Sequence, residues 1–316
     1  MTSLRMRDVF IEALTSAMRD DPMIFFLSAD FGSPKLDELV ASYPDRFINV
    51  GIAEQNLVNV AAGLALEGHK VFAYAIAPFI TMRCYEQVRI NLALMSQLRP
   101  LNVNLVGVGA GLSYDVSGPT HQALEDVAIM RAMPNIQVLS PADWVCARAM
   151  VSLALGSCTP KYLRMDSKPL PSVYEPTFEF DWQSGFHVFQ PGADVYLAAT
   201  GYMTHKALAA ARILAQDGIQ AGVVDMFTLH NVDGHSLAKA LKGCRVVLSL
   251  EEGFGGTGGL AGLLSGALTV HAPHIRLDSL GLERRYSFQI GDRDTLLAAN
   301  GLDEKAIAGR AKGLLL

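Results

Sequence analysis

Short apolar runs alternate with amphipathic segments along the first half of the chain. Residues 9–18 carry apolar side chains three and four positions apart, which predicts a helix with one buried face. Residues 23–27, 70–76, 101–108 and 161–165 are apolar runs of strand length, separated by further helical patterns. Strands that alternate with helices indicate a mostly parallel sheet covered on both faces. We therefore predict a three-layer α/β/α domain.

The same alternation returns in the second half of the chain. Its predicted strands are residues 195–199, 221–225, 245–250 and 275–280, and its predicted helices are residues 206–216 and 260–268. Residues 166–190 are proline-rich and lack helical periodicity, which is typical of a connection between domains. We therefore predict a first domain at residues 1–167, a linker at 168–190, and a second α/β domain at 191–316.

Composition and charge exclude several classes of protein. The chain has 316 residues, of which 50% are hydrophobic, and a formal charge of −5. No basic run suggests a nucleic-acid partner. Residues 1–14 mix charged and apolar side chains, unlike a signal peptide, and the apolar region 255–272 is broken by glycines and too short to span a bilayer. The four cysteines show no paired spacing, so neither a metal site nor a disulfide framework is predicted. We expect a soluble cytoplasmic protein without a membrane partner.

A carboxylate stands where a predicted strand passes into a helix. Residues 47–53 read as a short buried strand, and the apolar residues that follow Glu54 recur at helical spacing. Glu54 is thus predicted in the first turn of a helix, where an acidic residue also complements the backbone dipole. Asp30 follows the strand at residues 23–27, in the position where open parallel sheets bind ligands. A helix cap or turn is an equally ordinary role for this aspartate.

Two further features follow predicted strands. Phe79 lies beside a proline just before a helix predicted over residues 82–95, where a phenylalanine is more often part of a core than a ligand contact. Residues 109–122 form a glycine-rich loop after the strand at 101–108. A loop of this length after a buried strand is usually functional.

A glycine-rich stretch in the second half offers a different interpretation. Residues 253–258 read Gly-Phe-Gly-Gly-Thr-Gly, and Asp278 lies where the ribose-binding acid of a dinucleotide site would be expected. Only some sixty residues follow this stretch, roughly too few for the rest of a doubly wound sheet. Glu251 and Glu252 would also place negative charge beside a pyrophosphate. Close packing of a helix on a strand through small residues is the favoured interpretation.

Several ordered motifs together resemble the C-terminal half of a transketolase. They are Val-Gly-Ile-Ala-Glu-Gln-Asn at 50–56, Tyr-Glu-Gln-Val-Arg at 85–89, Gly-Pro-Thr-His-Gln-Ala-Leu-Glu-Asp at 118–126, Ser-Pro-Ala-Asp at 140–143, Tyr-Leu-Arg at 162–164, Ala-Thr-Gly at 199–201 and Glu-Glu at 251–252. The resemblance runs from residue 1 to beyond residue 300. It implies a thiamine diphosphate pyrimidine-binding domain followed by a transketolase C-terminal domain with a mixed sheet.

The resemblance implies thiamine diphosphate as cofactor and assigns five residues. Glu54 matches the glutamate that hydrogen-bonds the aminopyrimidine ring, and Phe79 matches the phenylalanine that stacks on it. His121 matches a histidine that contacts substrate and assists proton transfer, a task for which imidazole is suited near neutral pH. Arg164 matches an arginine that grips the sugar phosphate with its planar fork of donors. Asp30 matches an aspartate near the cofactor.

The glycine-rich loop departs from the family pattern at two positions. Family members commonly carry an aspartate where this chain has Ser117, and a histidine where it has Gly109. Both positions touch sugar hydroxyls in the family. We hypothesise that the substrate is not the usual pentose phosphate pair, and that Tyr114 and Asp115 take over some of the contacts.

The family's metal motif is missing from the sequence. Transketolases hold the cofactor's diphosphate through a metal bound by Gly-Asp-Gly and a downstream Asn, and no Gly-Asp-Gly occurs in this chain. A diphosphate needs a metal and backbone donors. The resemblance therefore implies a split transketolase, in which an N-terminal partner subunit holds most of the Mg²⁺ or Ca²⁺ site and the complex is an α2β2 heterotetramer. The implied reaction moves a two-carbon ketol unit from a ketose, expected to be a sugar phosphate, to an aldehyde.

Two other functions remain open. The β subunit of a 2-oxo acid dehydrogenase shares the pyrimidine domain and the split arrangement, although the motif at residues 118–126 is closer to transketolase. A non-catalytic regulatory homologue is the second possibility. The presence of Glu54, Phe79 and His121 together argues against it.

Overall fold

Six parallel strands form the first sheet in the computed structural model, which describes residues 2–316. The strands are β2 (Ile24–Ser28), β3 (Phe47–Asn49), β4 (Lys70–Ile76), β5 (Val103–Val108), β6 (Gln137–Leu139) and β7 (Lys161–Met165). Their order is β3-β2-β4-β5-β7-β6, and every neighbouring pair is parallel. All the carboxyl ends of these strands therefore meet at one edge of the sheet.

A second sheet of five strands follows. It contains β9 (His187–Gln190), β10 (Val195–Ala199), β11 (Ala221–Asp225), β12 (Val246–Phe254) and β13 (Arg276–Leu282). The order is β13-β12-β10-β11-β9, and only β9 runs antiparallel to its neighbour. The first sheet is thus parallel and the second mixed, which confirms the predicted fold class.

Helices cover the sheets through three apolar clusters. The α-helices are α1 (Met6–Asp20), α2 (Pro34–Ser42), α3 (Glu54–Leu66), α4 (Tyr85–Gln87), α5 (Asp126–Arg131), α6 (Trp144–Gly156), α7 (Met203–Gln216), α8 (Gly234–Ala240), α9 (Leu260–His271), α10 (Arg293–Ala299) and α11 (Glu304–Gly313). One cluster joins α1, α2 and α6 to the first sheet, and another joins α7, α10 and α11 to the second. The third takes in α3, α5, α8 and α9, so it runs from one sheet to the other. No described helix is long and apolar enough to cross a membrane.

Two sequence predictions differ from the structure near α3 and α4. The strand predicted over residues 47–53 is shorter and less buried than expected, because β3 is an edge strand paired only with β2 and the chain turns at Gly51 with φ +75°. Ile52 is 76% exposed. The helix predicted over residues 82–95 begins earlier, with a π-helical turn at Phe79–Arg83, and becomes π-helical again at Val88–Leu94.

Two strands lie within the segment for which the sequence predicts a linker. The strand β8 (Pro169–Pro171) pairs antiparallel with β1 (Ser3–Arg5), and β9 is an edge of the second sheet. Backbone hydrogen bonds also join the two sheets directly. The Leu229 amide donates to the Val138 carbonyl at 2.8 Å, and the Ser140 amide donates to the Phe227 carbonyl at 2.9 Å. The end of β6 is therefore held against the loop that follows β11.

The glycine-rich stretch at residues 253–258 leads from β12 into α9, as a dinucleotide fingerprint would. The N-terminus of α9 is already occupied, because the buried Glu251 carboxylate accepts from the amides of Leu260 at 2.9 Å and Ala261 at 3.2 Å. A Cβ atom at Gly259 would overlap this carboxylate. The glycines thus let a protein carboxylate reach the place where a pyrophosphate would bind.

Candidate active site

Four of the sequence-predicted features lie at the carboxyl edge of the six-stranded sheet. Asp30 follows β2, Glu54 follows β3, Phe79 follows β4, and the loop at residues 109–122 follows β5. Because β2, β4 and β5 are adjacent parallel strands, the segments that leave them start side by side. The topology gathers side chains that are far apart in sequence, in the place where open α/β sheets bind ligands.

Glu54 is the first residue of α3 and is 2% exposed. Its Oε2 atom accepts from Nη1 of Arg83 at 2.6 Å, and the Arg83 side chain is 46% exposed. A nearly buried carboxylate thus opens toward one half-exposed cation. The neighbouring Cys84 thiol does not compete as a nucleophile, because burial and the Glu54 charge raise its pKa to about 12.

Phe79 presents its ring to the same place. The Arg83 guanidinium carbon lies 4.5 Å from the centre of the Phe79 ring, and the His121 ring meets Phe79 edge-on at 5.3 Å between centres. Single π-helical turns occur often at functional sites. The π-helical turn Phe79–Arg83 brings its first and last side chains together beside Glu54. Glu54, Phe79 and His121 form one group, as the sequence predicts.

Tyr114 forms the wall of this group on the loop side. Its ring lies edge-on to the His121 ring at 6.0 Å between centres. A Cβ atom at Gly109, where φ is +109°, would overlap the Tyr114 ring. Tyr114 therefore occupies the space that a side chain at position 109 would fill. Burial raises the pKa of the Tyr114 hydroxyl, so this hydroxyl stays protonated at neutral pH and can donate a hydrogen bond.

Asp30 lies at the same edge in an unusual backbone conformation. Its φ is +55°, and aspartate is one of few residues other than glycine that tolerates this region. Asn49 holds it in place, because its Nδ2 atom donates to Asp30 Oδ1 at 3.0 Å and its Oδ1 accepts from the amides of Asp30 and Gly51. The ends of β2 and β3 are thereby tied together just before Glu54.

Asp115 and Arg164 make contacts inside the protein rather than with this group. Asp115 is 4% exposed, and its carboxylate accepts from Lys168 Nζ at 2.8 Å and from the amide of Arg293 at 3.1 Å. Arg164 is 3% exposed and donates to Asp126 Oδ2 at 2.7 Å and to the carbonyls of Ala123 and Glu252. Their predicted contacts with substrate remain predictions, as does that of Ser117, which lies exposed on the loop.

Sequence reasoning missed the residues that support the group. Arg83 lies 29 positions from Glu54. Arg293 is buried behind the loop, where it pairs with Asp166 and with Glu252. Its guanidinium carbon lies 3.9 Å from the centre of the Tyr202 ring. Only Arg83 had a local signal, since a helix that carries Phe79 on one face also presents the residue four positions later.

Comparison with known families identifies both halves of the chain. The family model described as transketolase, pyrimidine binding domain, matches residues 2–171. The chain belongs to the transketolase family. A second model, transketolase, C-terminal domain, matches residues 186–307. The transketolase pyrimidine domain therefore includes the whole group around Glu54.

Relatives of this transketolase-family chain include proteins of similar length. One of the two kinds of chain that make up the apulose-4-phosphate transketolase of Actinobacillus succinogenes is 32% identical, and the match covers 97% of each chain. Human transketolase is 31% identical over 98% of this chain, which covers 49% of the human protein. The solved structure of a split gene transketolase, described as an inactive β4 tetramer, superimposes with a TM-score of 0.86 at 33% identity, covering 99% of this chain and 98% of that one.

Membership of the transketolase family implies thiamine diphosphate and a divalent metal. The residues around Glu54 fit the pyrimidine end of that cofactor, because they pair a buried carboxylate with an open aromatic face. The Arg83 guanidinium, a flat group with donors in its plane, already contacts both. Among residues 2–316, no three His, Cys, Asp or Glu side chains are grouped in a way that could hold a metal ion.

Proposed function

We propose that this chain is the C-terminal subunit of a split thiamine diphosphate-dependent transketolase. It would transfer a two-carbon ketol unit from a ketose phosphate to an aldehyde acceptor. The observation that carries this proposal is the meeting of Glu54, Phe79 and His121 at the carboxyl edge of the parallel sheet. A buried acid, an aromatic face and an imidazole are the side chains that the aminopyrimidine and the reacting sugar require.

Each residue has a task that its surroundings support. Glu54 would hold a proton at its carboxyl group against the pyrimidine ring, and Phe79 would support the face of that ring. His121 would exchange a proton with the sugar, with Thr120 Oγ1 2.9 Å from its Nδ1 atom to fix the imidazole. Asp30 would stand beside the cofactor on the adjacent strand end. Thiamine diphosphate, when bound, supplies the carbanion stabilisation that carbon–carbon cleavage needs.

A partner subunit is part of the proposal. The sequence contains no Gly-Asp-Gly motif, and the related chain of A. succinogenes is named as a subunit rather than as a whole transketolase. The related split-gene structure is described as an inactive β4 tetramer, which is in keeping with a β chain that needs another subunit. We propose an N-terminal partner that holds the diphosphate and its Mg²⁺ or Ca²⁺, in an α2β2 heterotetramer.

Calorimetric titration tests the split site. Thiamine diphosphate with Mg²⁺ is titrated into this chain alone and into the complex with a candidate N-terminal chain that carries Gly-Asp-Gly. We expect tight binding only in the complex, because the diphosphate needs the metal and its ligands. Tight binding to the chain alone would contradict the partner-held site. Decarboxylation of pyruvate by the complex, without ketol transfer, would replace transketolase by a 2-oxo acid dehydrogenase.

The loop supports a substrate other than the usual pentose phosphates. Tyr114 fills the space beside Gly109, where transketolases commonly carry a histidine, and it borders His121. The φ of +109° at Gly109 also makes any side chain there strained. The A. succinogenes relative is named for apulose 4-phosphate, so a branched or otherwise unusual ketose phosphate is the class we propose for this site.

Tyr114→Val is expected to lower the preference for the enzyme's own ketose. Removal of the ring opens the space beside Gly109 and His121, and pocket shape of this kind discriminates by about tenfold or more. The measured quantity is kcat/KM for the best ketose of a donor screen, divided by kcat/KM for xylulose 5-phosphate. Val116→Ala is the control, since Val116 is 69% exposed on the same loop. An unchanged ratio in Tyr114→Val, or efficient use of xylulose 5-phosphate with ribose 5-phosphate by the wild type, would overturn the substrate proposal.

A further inference from the structure

Arg83 contacts both surfaces that a pyrimidine ring would use. Its Nη1 atom donates to Glu54 at 2.6 Å, and its guanidinium carbon lies 4.5 Å from the centre of the Phe79 ring. A guanidinium is planar, donates in its own plane and packs on aromatic faces. An aminopyrimidine ring has the same three properties. The two groups therefore compete for one carboxylate and one aromatic ring.

We propose that Arg83 is a displaceable internal occupant of the pyrimidine subsite, which holds Glu54 and Phe79 in place until the cofactor takes them over. This inference rests on the proposed function, because it assumes that Glu54 and Phe79 receive a pyrimidine. In the cofactor-free chain Arg83 pairs with a carboxylate whose side chain is 3% exposed. A carboxylate so deeply buried is costly when it has no partner.

The exposure of Arg83 lets it leave. Its side chain is 46% exposed, so the charged head can move into water while its aliphatic part stays on the protein. Cofactor binding then requires the fraction of molecules in which Arg83 has moved away. An apparent dissociation constant rises in inverse proportion to that fraction. The occupant thus stabilises the empty site and weakens cofactor binding at the same time.

This opposition of signs separates the proposal from other roles. A direct cofactor contact at Arg83 would strengthen cofactor binding, so its loss would raise the dissociation constant. A purely structural arginine would affect stability and leave the dissociation constant unchanged. The matched control is Arg89, a 54% exposed arginine on the same helical segment that pairs with the exposed Glu86 at 3.4 Å.

The experiment measures two quantities in wild type, Arg83→Met and Arg89→Met. The thiamine diphosphate dissociation constant is measured at saturating Mg²⁺ on each complex with the N-terminal partner, and the melting temperature is measured on the cofactor-free chain. With Arg83 displaced in about a tenth of the molecules, Arg83→Met should bind the cofactor about tenfold more tightly. Its cofactor-free melting temperature should fall by about 2–4 °C. Arg89→Met should change neither quantity.

Other outcomes decide against the proposal. Weaker or unchanged binding in Arg83→Met overturns it and leaves the proposed function intact. Failure of the wild-type complex to bind thiamine diphosphate overturns the proposed function instead. If Arg83→Met does not fold, Arg83→Gln is used, because its amide keeps a planar donor without the charge. In the melting temperatures, Arg83→Gln and Glu54→Gln should be non-additive in the cofactor-free chain, and full additivity would also contradict a direct occupant.

Discussion

Glu54→Gln should lower kcat of the assembled enzyme by about 10³-fold, within the range that positioned acid–base groups contribute. Glutamine keeps the size of the side chain and can accept the hydrogen bond from Arg83, but it cannot take up or release a proton at the carboxyl position. Glu54 is 2% exposed, so water cannot easily replace it as a proton carrier. The measurement is ketol transfer with the best ketose and aldehyde found by screening, under saturating cofactor.

Glu86→Gln is the control for the Glu54 variant. Glu86 is an exposed carboxylate on the neighbouring helical segment, with its side chain 68% exposed, and its loss should leave kcat unchanged. Binding of thiamine diphosphate to the Glu54→Gln complex is measured in parallel, so that lost chemistry is distinguished from a lost cofactor. A kcat within tenfold of wild type would speak against a catalytic Glu54. Full activity of Glu54→Ala would favour the non-catalytic, regulatory homologue.

Arg293→Met should lower the free energy of unfolding by about 3–5 kcal/mol, the usual cost of breaking a buried ion pair from one side. Arg293 pairs with Asp166 and Glu252, and all three side chains are nearly buried, at 6%, 3% and 1% exposed. Methionine fills a similar volume but leaves two carboxylates without a cation. Urea denaturation, followed by fluorescence and by circular dichroism, gives the free energy and shows whether the transition is two-state.

Arg310→Met is the matched control for the Arg293 variant. Arg310 pairs with Asp278, but its side chain is 52% exposed, and exposed pairs contribute about 0–1 kcal/mol. Combining Arg293→Met with Asp166→Asn and Glu252→Gln should recover part of the lost stability, because the unpaired charges are then removed. A loss below about 1 kcal/mol in Arg293→Met would contradict the importance of this buried cluster.

The central strands were predictable because both of their faces are buried. β4, β7, β10 and β11 have the bounds that their apolar runs predict, since a strand covered on both sides leaves a continuous hydrophobic signal. The edge strands left no such signal. β1 and β8 are three residues each, and β8 contains two prolines, so neither has the apolar run of a central strand.

The candidate site was predictable only where short motifs carry it. Glu54, Phe79 and His121 stand in local sequence patterns, and the parallel sheet brings them together. The pairs formed by Arg83, Arg293 and Asn49 join segments between 19 and 178 positions apart. Spacing along the chain holds no information about such contacts. Asp115 shows the same difficulty, because a loop aspartate reads as a ligand contact until the structure reveals its partner in the second half of the chain.

The glycine-rich loop also limits how this protein can evolve. A Cβ atom at Gly111 would stand 2.5 Å from Glu252 Cβ. Position 109 is blocked by Tyr114, and Asp115 is fixed by Lys168 and by the backbone of Arg293. Mutational freedom is left to the exposed positions 116 and 117. New sugar preferences should therefore arise there by single steps, whereas a return to histidine at position 109 would require several simultaneous changes.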